Sequence, residues 1–241
     1  MNPKFEQLAI QLHKVGAFKD RRQSPEGKGF RLKLHETRPD APLSPFYLNL
    51  RTDDNPKPGP LTPEILEEIG TRFYELVVEC LLDYSCVAGV PNAGNPLADA
   101  LFWATPQNRL VRRLKLGKED TAAGRRVVGI SRGLFRNGDV ALVVDDLITG
   151  ADSKFEAIGV LEKAGLHVRD VLVIVDREQG GKFQLAERDY ALHCLFTITE
   201  LLDFYRRIGR LDQSMYEEIG QYLVNDAVLR LKAQSWGGHN D

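Results

Sequence analysis

Residues 140–154 read VALVVDDLITGADSK, and this stretch decides the fold. Val140, Ala141, Leu142, Val143 and Val144 run on without polar alternation, the pattern of a strand covered on both faces in a parallel sheet. Asp145 and Asp146 end the run, so they stand at the strand's carboxyl edge, where open α/β sheets hold ligands. Behind them Thr149, Gly150, Ala151, Asp152 and Ser153 offer backbone N–H groups, hydroxyls and little bulk, just before a helical pattern over residues 154–163. Such a loop at a helix N-terminus can cradle a phosphate. Two carboxylates beside it would repel a bare anion; they suit a sugar's hydroxyls, or Mg2+ on a phosphorylated ligand. Asp is also favoured at the start of turns, so the pair taken alone reads as a loop cap. The buried strand before it and the small-residue loop after it turn the reading toward a ligand.

Working outward, residues 171–175, VLVIV, form a second buried strand that ends in Asp176-Arg177-Glu178, which puts Arg177 at the same carboxyl edge; a rim salt bridge is its ordinary use. Residues 126–130, RVVGI, read as a strand feeding the first one. Upstream, the apolar run CVAGV at 86–90 leads into PNAGNPLADAL, again strand, small-residue turn and helix. Before it, Thr62 reads as an N-cap with Pro63 at the first helical position, and Ile65, Leu66, Ile69, Phe73, Leu76, Val77 and Leu81 recur at helical steps. Residues 192–204 read as a last strand running into a helix, and Ser214-x-x-Glu217 as the capping box of a final helix to about Lys232, with a frayed tail.

The first 60 residues differ in character. Residues 4–18 carry a helical stripe of Phe5, Leu8, Ile10, Leu12 and Val15 that Gly16 would end. GFRLKL at 29–34 and FYLNLR at 46–51 alternate apolar and polar positions, as two strands of a small antiparallel unit would, and 52–60 is a Pro-rich loop. These patterns predict one α/β domain over 1–241: an N-terminal helix and hood (1–60), a doubly wound, mostly parallel core (61–213), and a C-terminal helix with its tail (214–241).

With 43% hydrophobic and 27% charged residues in 241, the chain reads as an ordinary globular protein large enough for a sizeable core. A formal charge of −2 gives no overall pull toward nucleic acid or acidic membranes, and there is neither an apolar run of membrane-spanning length nor a secretory leader. Cys80, Cys86 and Cys194 lack metal-ligand spacing and fit buried thiols in a reducing cytoplasm. Residues 109–126 concentrate Arg109, Arg112, Arg113, Lys115, Lys118, Arg125 and Arg126 with no interleaved aromatic, a solvated face rather than a platform for stacking bases.

VVDDLITGADS resembles the signature of the type I phosphoribosyltransferases: apolar strand, two acids, two apolar residues, then Thr-Thr-Gly-x-Ser/Thr. The match falls on Asp145, Asp146, Leu147, Ile148, Thr149 and Ser153, with Gly150 where Thr is usual and Ala151 where Gly is usual. The resemblance implies that the acids hold the ribose hydroxyls and that residues 149–153 wrap the 5′-phosphate of phosphoribosyl pyrophosphate. FRLK at 30–33 and SPFYLNLR at 44–51 are similar to the N-terminal pattern of the orotate phosphoribosyltransferases. That likeness implies phosphate contact for Lys33 and places Phe46 and Tyr47, with Thr149, beside the base. GVPNAGNPLA at 89–98 is similar to the family's pyrophosphate turn, with Asn92 and Ala93 where some members carry Tyr and Lys.

The basic stretch lies where that family has a mobile catalytic loop that reaches the neighbouring subunit's site. By resemblance Arg112 and Arg113 contact the pyrophosphate, and Lys115 and Lys118 neutralise it as it departs, although the spacing to Gly117 is shorter and the family's His or Tyr is absent. Arg177 matches the family's Asp-Arg arginine, whose planar fork suits the orotate carboxylate. The expectations are therefore a cytoplasmic, homodimeric phosphoribosyltransferase of pyrimidine biosynthesis that takes phosphoribosyl pyrophosphate and orotate. Mg2+ would be carried by the substrate within reach of Asp145 and Asp146, with no nucleic-acid or membrane partner. A phosphoribosyltransferase for another base and a non-catalytic regulator that keeps the phosphoribosyl pyrophosphate site are the alternatives.

Overall fold

The computed structural model describes residues 1–32, 34–121 and 124–237. They fall into two compact units, Leu50–Ile198 on one hand and Met1–Asn49 with the segment from Thr199 on the other.

The larger unit is an α/β layer structure. Helix α3 (Pro63–Glu79) starts where Thr62 accepts a hydrogen bond from Ile65 N, and it buries Ile65, Ile69, Phe73 and Val77. Strand β3 (Cys86–Gly89) leads into helix α4 (Gly94–Ala104), and strands β4 (Arg112–Thr121) and β5 (Gly124–Arg132) follow. Strand β6 (Val140–Ile148) runs into helix α5 (Asp152–Lys163). Strand β7 (His167–Asp176), helix α6 (Gly181–Ala186) and strand β8 (Ala191–Thr197) complete the unit. The sheet order is β5-β4-β3-β6-β7-β8, parallel except for β5, which pairs antiparallel with β4. After β3 the chain moves outward to β4, and from β6 it moves outward the other way to β7 and β8. The reversal falls between β3 and β6, the topological switch point at which such sheets bind ligands. Ala141 and Val143 pack with Ala157, Ile158 and Leu161 of α5, while α4 packs on β3 and β6.

One expectation fails here. The basic stretch read as a mobile loop is paired strand: Lys115 lies opposite Arg132, Leu116 opposite Ile130 and Lys118 opposite Val127. The cause is written in RRLKL, whose Leu114 and Leu116 alternate into the core at 2% exposure each while Arg113 and Lys115 face out. Ala122 and Ala123, between the two strands, lie outside the described residues.

The smaller unit contains α1 (Glu6–Lys14), β1 (Phe18–Asp20), α2 (Leu34–Thr37), β2 (Phe46–Leu48), most of α7 (Ile198–Arg207) and α8 (Gln213–Gly237). Gly16 ends α1's turn at φ +77°, a left-handed backbone that glycine adopts at least cost. The antiparallel unit predicted from 29–34 and 46–51 has a different first partner: β2 pairs with β1, Phe18 opposite Leu48 and Asp20 opposite Phe46. Among the described residues of that first stretch, Phe30 makes a single bridge to Ser44. Their backbone is drawn off by His35, whose Nδ1 meets Leu32 N at 2.9 Å and whose Nε2 meets Ala41 O at 3.1 Å, local bonds that compete with a strand ladder. The core of this unit joins Leu8, Leu12, Phe18, Phe46 and Tyr205, and the Tyr205 hydroxyl donates to Ala9 O at 2.9 Å.

The cap of α8 is also corrected. Asp212, not Ser214, accepts from the backbone, its Oδ1 taking Met215 N at 2.9 Å. Asp212→Ala is accordingly expected to lower the melting temperature by roughly 2–4 °C and Ser214→Ala by much less, as thermal unfolding followed by circular dichroism would show.

Candidate functional site

The site is assembled at the switch point by two close backbone approaches. A Cβ on Gly89 would fall 2.4 Å from Gly94 O, and one on Gly94 would fall 2.3 Å from Val144 O. Glycine at both positions lets the β3–α4 turn lie directly on the end of β6. The Pro91–Asn92 peptide in that turn is cis. Asn92 and Ala93, half-buried, sit at its crest and lead into α4.

At the end of β6 the two aspartates have separate fates, because successive side chains of a strand point to opposite faces. Asp145 shares the parity of Ala141 and Val143 and faces α5, where its Oδ2 lies 2.7 Å from Lys154 Nζ. Its Oδ1 accepts from Asp146 N at 2.9 Å. Asp146 points the other way and accepts from Leu147 N at 2.8 Å. Burial, and next the charge of Asp145, push the Asp146 carboxyl up to about 7, against the opposing pull of Lys154 and Arg51. Neither Lys154 nor Arg51 is singled out by the sequence reading.

The loop at 149–153 is held from α6. Gln184 Oε1 accepts from Ala151 N at 2.8 Å, and Gly181 N donates to Thr149 O at 3.0 Å. Ala151 takes φ −95°, so its Cβ is tolerated where the family prefers glycine, and Gly150 has Gln184 Oε1 as its near neighbour. Asp152 is exposed in the first turn of α5, and Ser153 is half-buried beside Lys154. Leu147 O accepts from Lys154 Nζ at 2.6 Å, and Ile148 is fully buried. Arg177 N donates to Ile148 O at 3.0 Å, which brings the buried Arg177, at 5% exposure, to the same edge. Beside it burial pushes the Asp176 carboxyl above its ordinary value.

The cations of β4 divide. Lys115 is in register with Gly89, itself opposite Val144, so it reaches the carboxyl edge, and Lys118 Nζ donates to Pro91 O at 3.4 Å in the turn. Arg112 is opposite Cys86, three residues back and so roughly 10 Å toward the amino edge, where it pairs with Asp139 at 2.7 Å. Arg113 pairs with Asp99 of α4 at 3.1 Å and lies over the rings of Phe102 and Trp103. The structure therefore brings Lys115 and Lys118 to the site and holds Arg112 and Arg113 on other partners.

In the smaller unit, Phe46 is fully buried between Phe18 and Tyr222, which corrects its expected place against a base. Tyr47 is half-buried and stacks on Phe30 at 5.5 Å. Lys33 lies outside the described residues. Among the described residues no three His, Cys, Asp or Glu side chains cluster to hold a metal ion, and no helix is long and apolar enough to cross a membrane. Of the pair, Asp146, which points away from α5, fits a cation that arrives on a ligand's diphosphate, since Mg2+ on phosphates needs only one or two carboxylates, whereas both oxygens of Asp145 have protein partners.

No model of a known protein family matches the chain. It is similar to uridine 5′-monophosphate synthase of Bos taurus, 28% identical over 187 residues, which cover 77% of this chain and 36% of that protein. The chain thus spans about a third of that relative's length. It is 33% identical over 141 residues to the orotate phosphoribosyltransferase of Halobacterium salinarum, covering 58% of this chain and 75% of the relative. In fold it is similar to the solved UMP synthase of Leishmania donovani, with a TM-score of 0.70 at 23% identity over 92% of this chain and 42% of that one. A sheet with its switch point at the acidic pair, and a third of the residues shared across three-quarters of a single-function relative, place this chain in the orotate phosphoribosyltransferase family.

Proposed function

We propose that the chain transfers the 5-phosphoribosyl group of phosphoribosyl pyrophosphate to orotate, giving orotidine 5′-monophosphate and pyrophosphate. One observation carries the reading: the buried acidic pair at the switch point lies between the 149–153 loop at the start of α5 on one side and, on the other, the β3–α4 turn, whose Pro91 O is reached by Lys118 Nζ. A ribose with a phosphate at one end and a diphosphate at the other has that distribution of polar groups. Orotate as acceptor rests on the relatives' names and on Arg177 at the same edge.

In the reaction the C1′–O bond to the diphosphate breaks, its electron pair leaving with pyrophosphate, and the lone pair of the deprotonated orotate ring nitrogen forms the C1′–N bond. The chain's work is positioning and charge stabilisation. Asp146, with Asp145, orients the ribose; the 149–153 amides hold the 5′-phosphate; Lys115 and Lys118 face the departing diphosphate. Mg2+ carried on the diphosphate would supply further neutralisation, with Asp146 as the residue that would face it and Asp145 held behind it by Lys154. A cytoplasmic homodimer is the setting that the family resemblance supports.

A second reading, binding without turnover, is favoured by the commitment of Arg112 to Asp139 and of Arg113 to Asp99. Incubation with labelled phosphoribosyl pyrophosphate, Mg2+ and a panel of bases separates the two. Label is expected in orotidine 5′-monophosphate alone; label in another nucleotide would change the acceptor, and binding with no product from any base would establish the second reading.

A further inference from the structure

Lys154 lies in the first turn of α5, yet its side chain is 4% exposed and shares a helical stripe with Ala157, Ile158 and Leu161. An ammonium in an apolar layer is costly unless it is both paired and hydrogen-bonded. One end of β6 supplies both, through Asp145 Oδ2 at 2.7 Å and Leu147 O at 2.6 Å. The other Asp145 oxygen is taken by Asp146 N. Each oxygen of Asp145 therefore has a set partner and the carboxylate has one orientation. Lys154 also follows Ser153 directly, so the same contact ties the 149–153 loop to the strand that carries the acids.

We propose that Lys154 is a positioning residue: by clamping the Asp145 carboxylate to the end of β6 it holds the acidic pair in register with the phosphate loop, and so sets the affinity for the phosphoribosyl ligand. The clamp is read from geometry alone, and its ligand rests on the function proposed above.

The test is a double-mutant cycle of Lys154→Met and Asp145→Asn in the full chain, with thermal melting without ligand and calorimetric titration of phosphoribosyl pyrophosphate with Mg2+. Each single substitution leaves one buried partner alone and is expected to lower the melting temperature by on the order of 10 °C, whereas the double variant recovers most of it. Lys154→Met should weaken phosphoribosyl pyrophosphate binding roughly tenfold or more, and in the Asp145→Asn background it should weaken it no further. Should Lys154→Met fail to fold, Lys154→Gln, which keeps a donor, replaces it in the cycle. A folded Lys154 variant that binds like wild type, or losses that add across the cycle, overturns the proposal. Wild type that binds no phosphoribosyl pyrophosphate sinks the proposed function instead, and the melting cycle then decides the clamp: independent losses of stability refute it.

Discussion

Asp146→Asn is expected to lower kcat/KM for phosphoribosyl pyrophosphate by about a hundredfold or more, because a carboxylate that accepts two ribose hydroxyls makes two charge-assisted hydrogen bonds of roughly 1.5–3 kcal/mol each. The fold should survive, since Asn keeps the oxygen that accepts from Leu147 N. Initial rates with orotate, beside a circular dichroism spectrum, measure both. Wild-type rates in a folded variant would remove Asp146 from the ribose.

The same substitution has a signed effect on stability. Burial and the neighbouring Asp145 raise the folded Asp146 carboxyl to about 7 from its ordinary 3.8, so the folded state keeps a proton that the unfolded chain releases. Below about pH 4 both states carry the proton and the term vanishes. Between about pH 4 and 7 stability falls as the pH rises, and above 7 the penalty is complete. Without ligand and in the presence of a chelator, Asp146→Asn should therefore exceed wild type in stability at pH 8, with the gap closing toward pH 4. Denaturant midpoints that fall equally at both pH values would contradict the buried, like-charged setting.

What could be read ahead of the structure follows from which physical signals are local. The run 140–144 is apolar without alternation, rich in β-branched residues and followed closely by a turn, which suits a strand covered on both faces, so β6, its acids and the loop behind it were legible, as were β7 with Arg177 and the β3–α4 turn. The basic stretch departs from the family's mobile loop because Leu114 and Leu116 alternate into the core, and that alternation determines the backbone state more strongly than the charges around it. Lys154 carries a signal in the sequence: a lysine on the stripe of Ala157, Ile158 and Leu161 must find a buried anion, and Asp145 stands nine residues earlier at the end of the preceding strand. Gln184 and Arg51 carried none, since their contacts join segments distant in sequence. The same holds for β1, which is three residues long and defined only by its partner.

Substitution of Arg177 tests orotate against other acceptors. Its guanidinium is buried at the carboxyl edge, and its backbone donates to Ile148 O, two residues beyond the acidic pair. A planar fork can grip a carboxylate through two parallel bonds, and an ammonium cannot. Arg177→Lys keeps the charge and loses that geometry, so orotate affinity should fall roughly tenfold or more, corresponding to about 1.5–3 kcal/mol. Arg177→Ala removes charge and fork together and should lower it further. Neither substitution touches the 149–153 loop's contacts to α6 or the Lys154–Asp145 pair, so the affinity for phosphoribosyl pyrophosphate should change by less than about twofold, a few tenths of a kcal/mol. Calorimetric titration of each ligand into wild type and both variants gives the comparison. Equal orotate affinity in wild type and Arg177→Ala would free the arginine from the base and move the acceptor to a ring without a carboxylate.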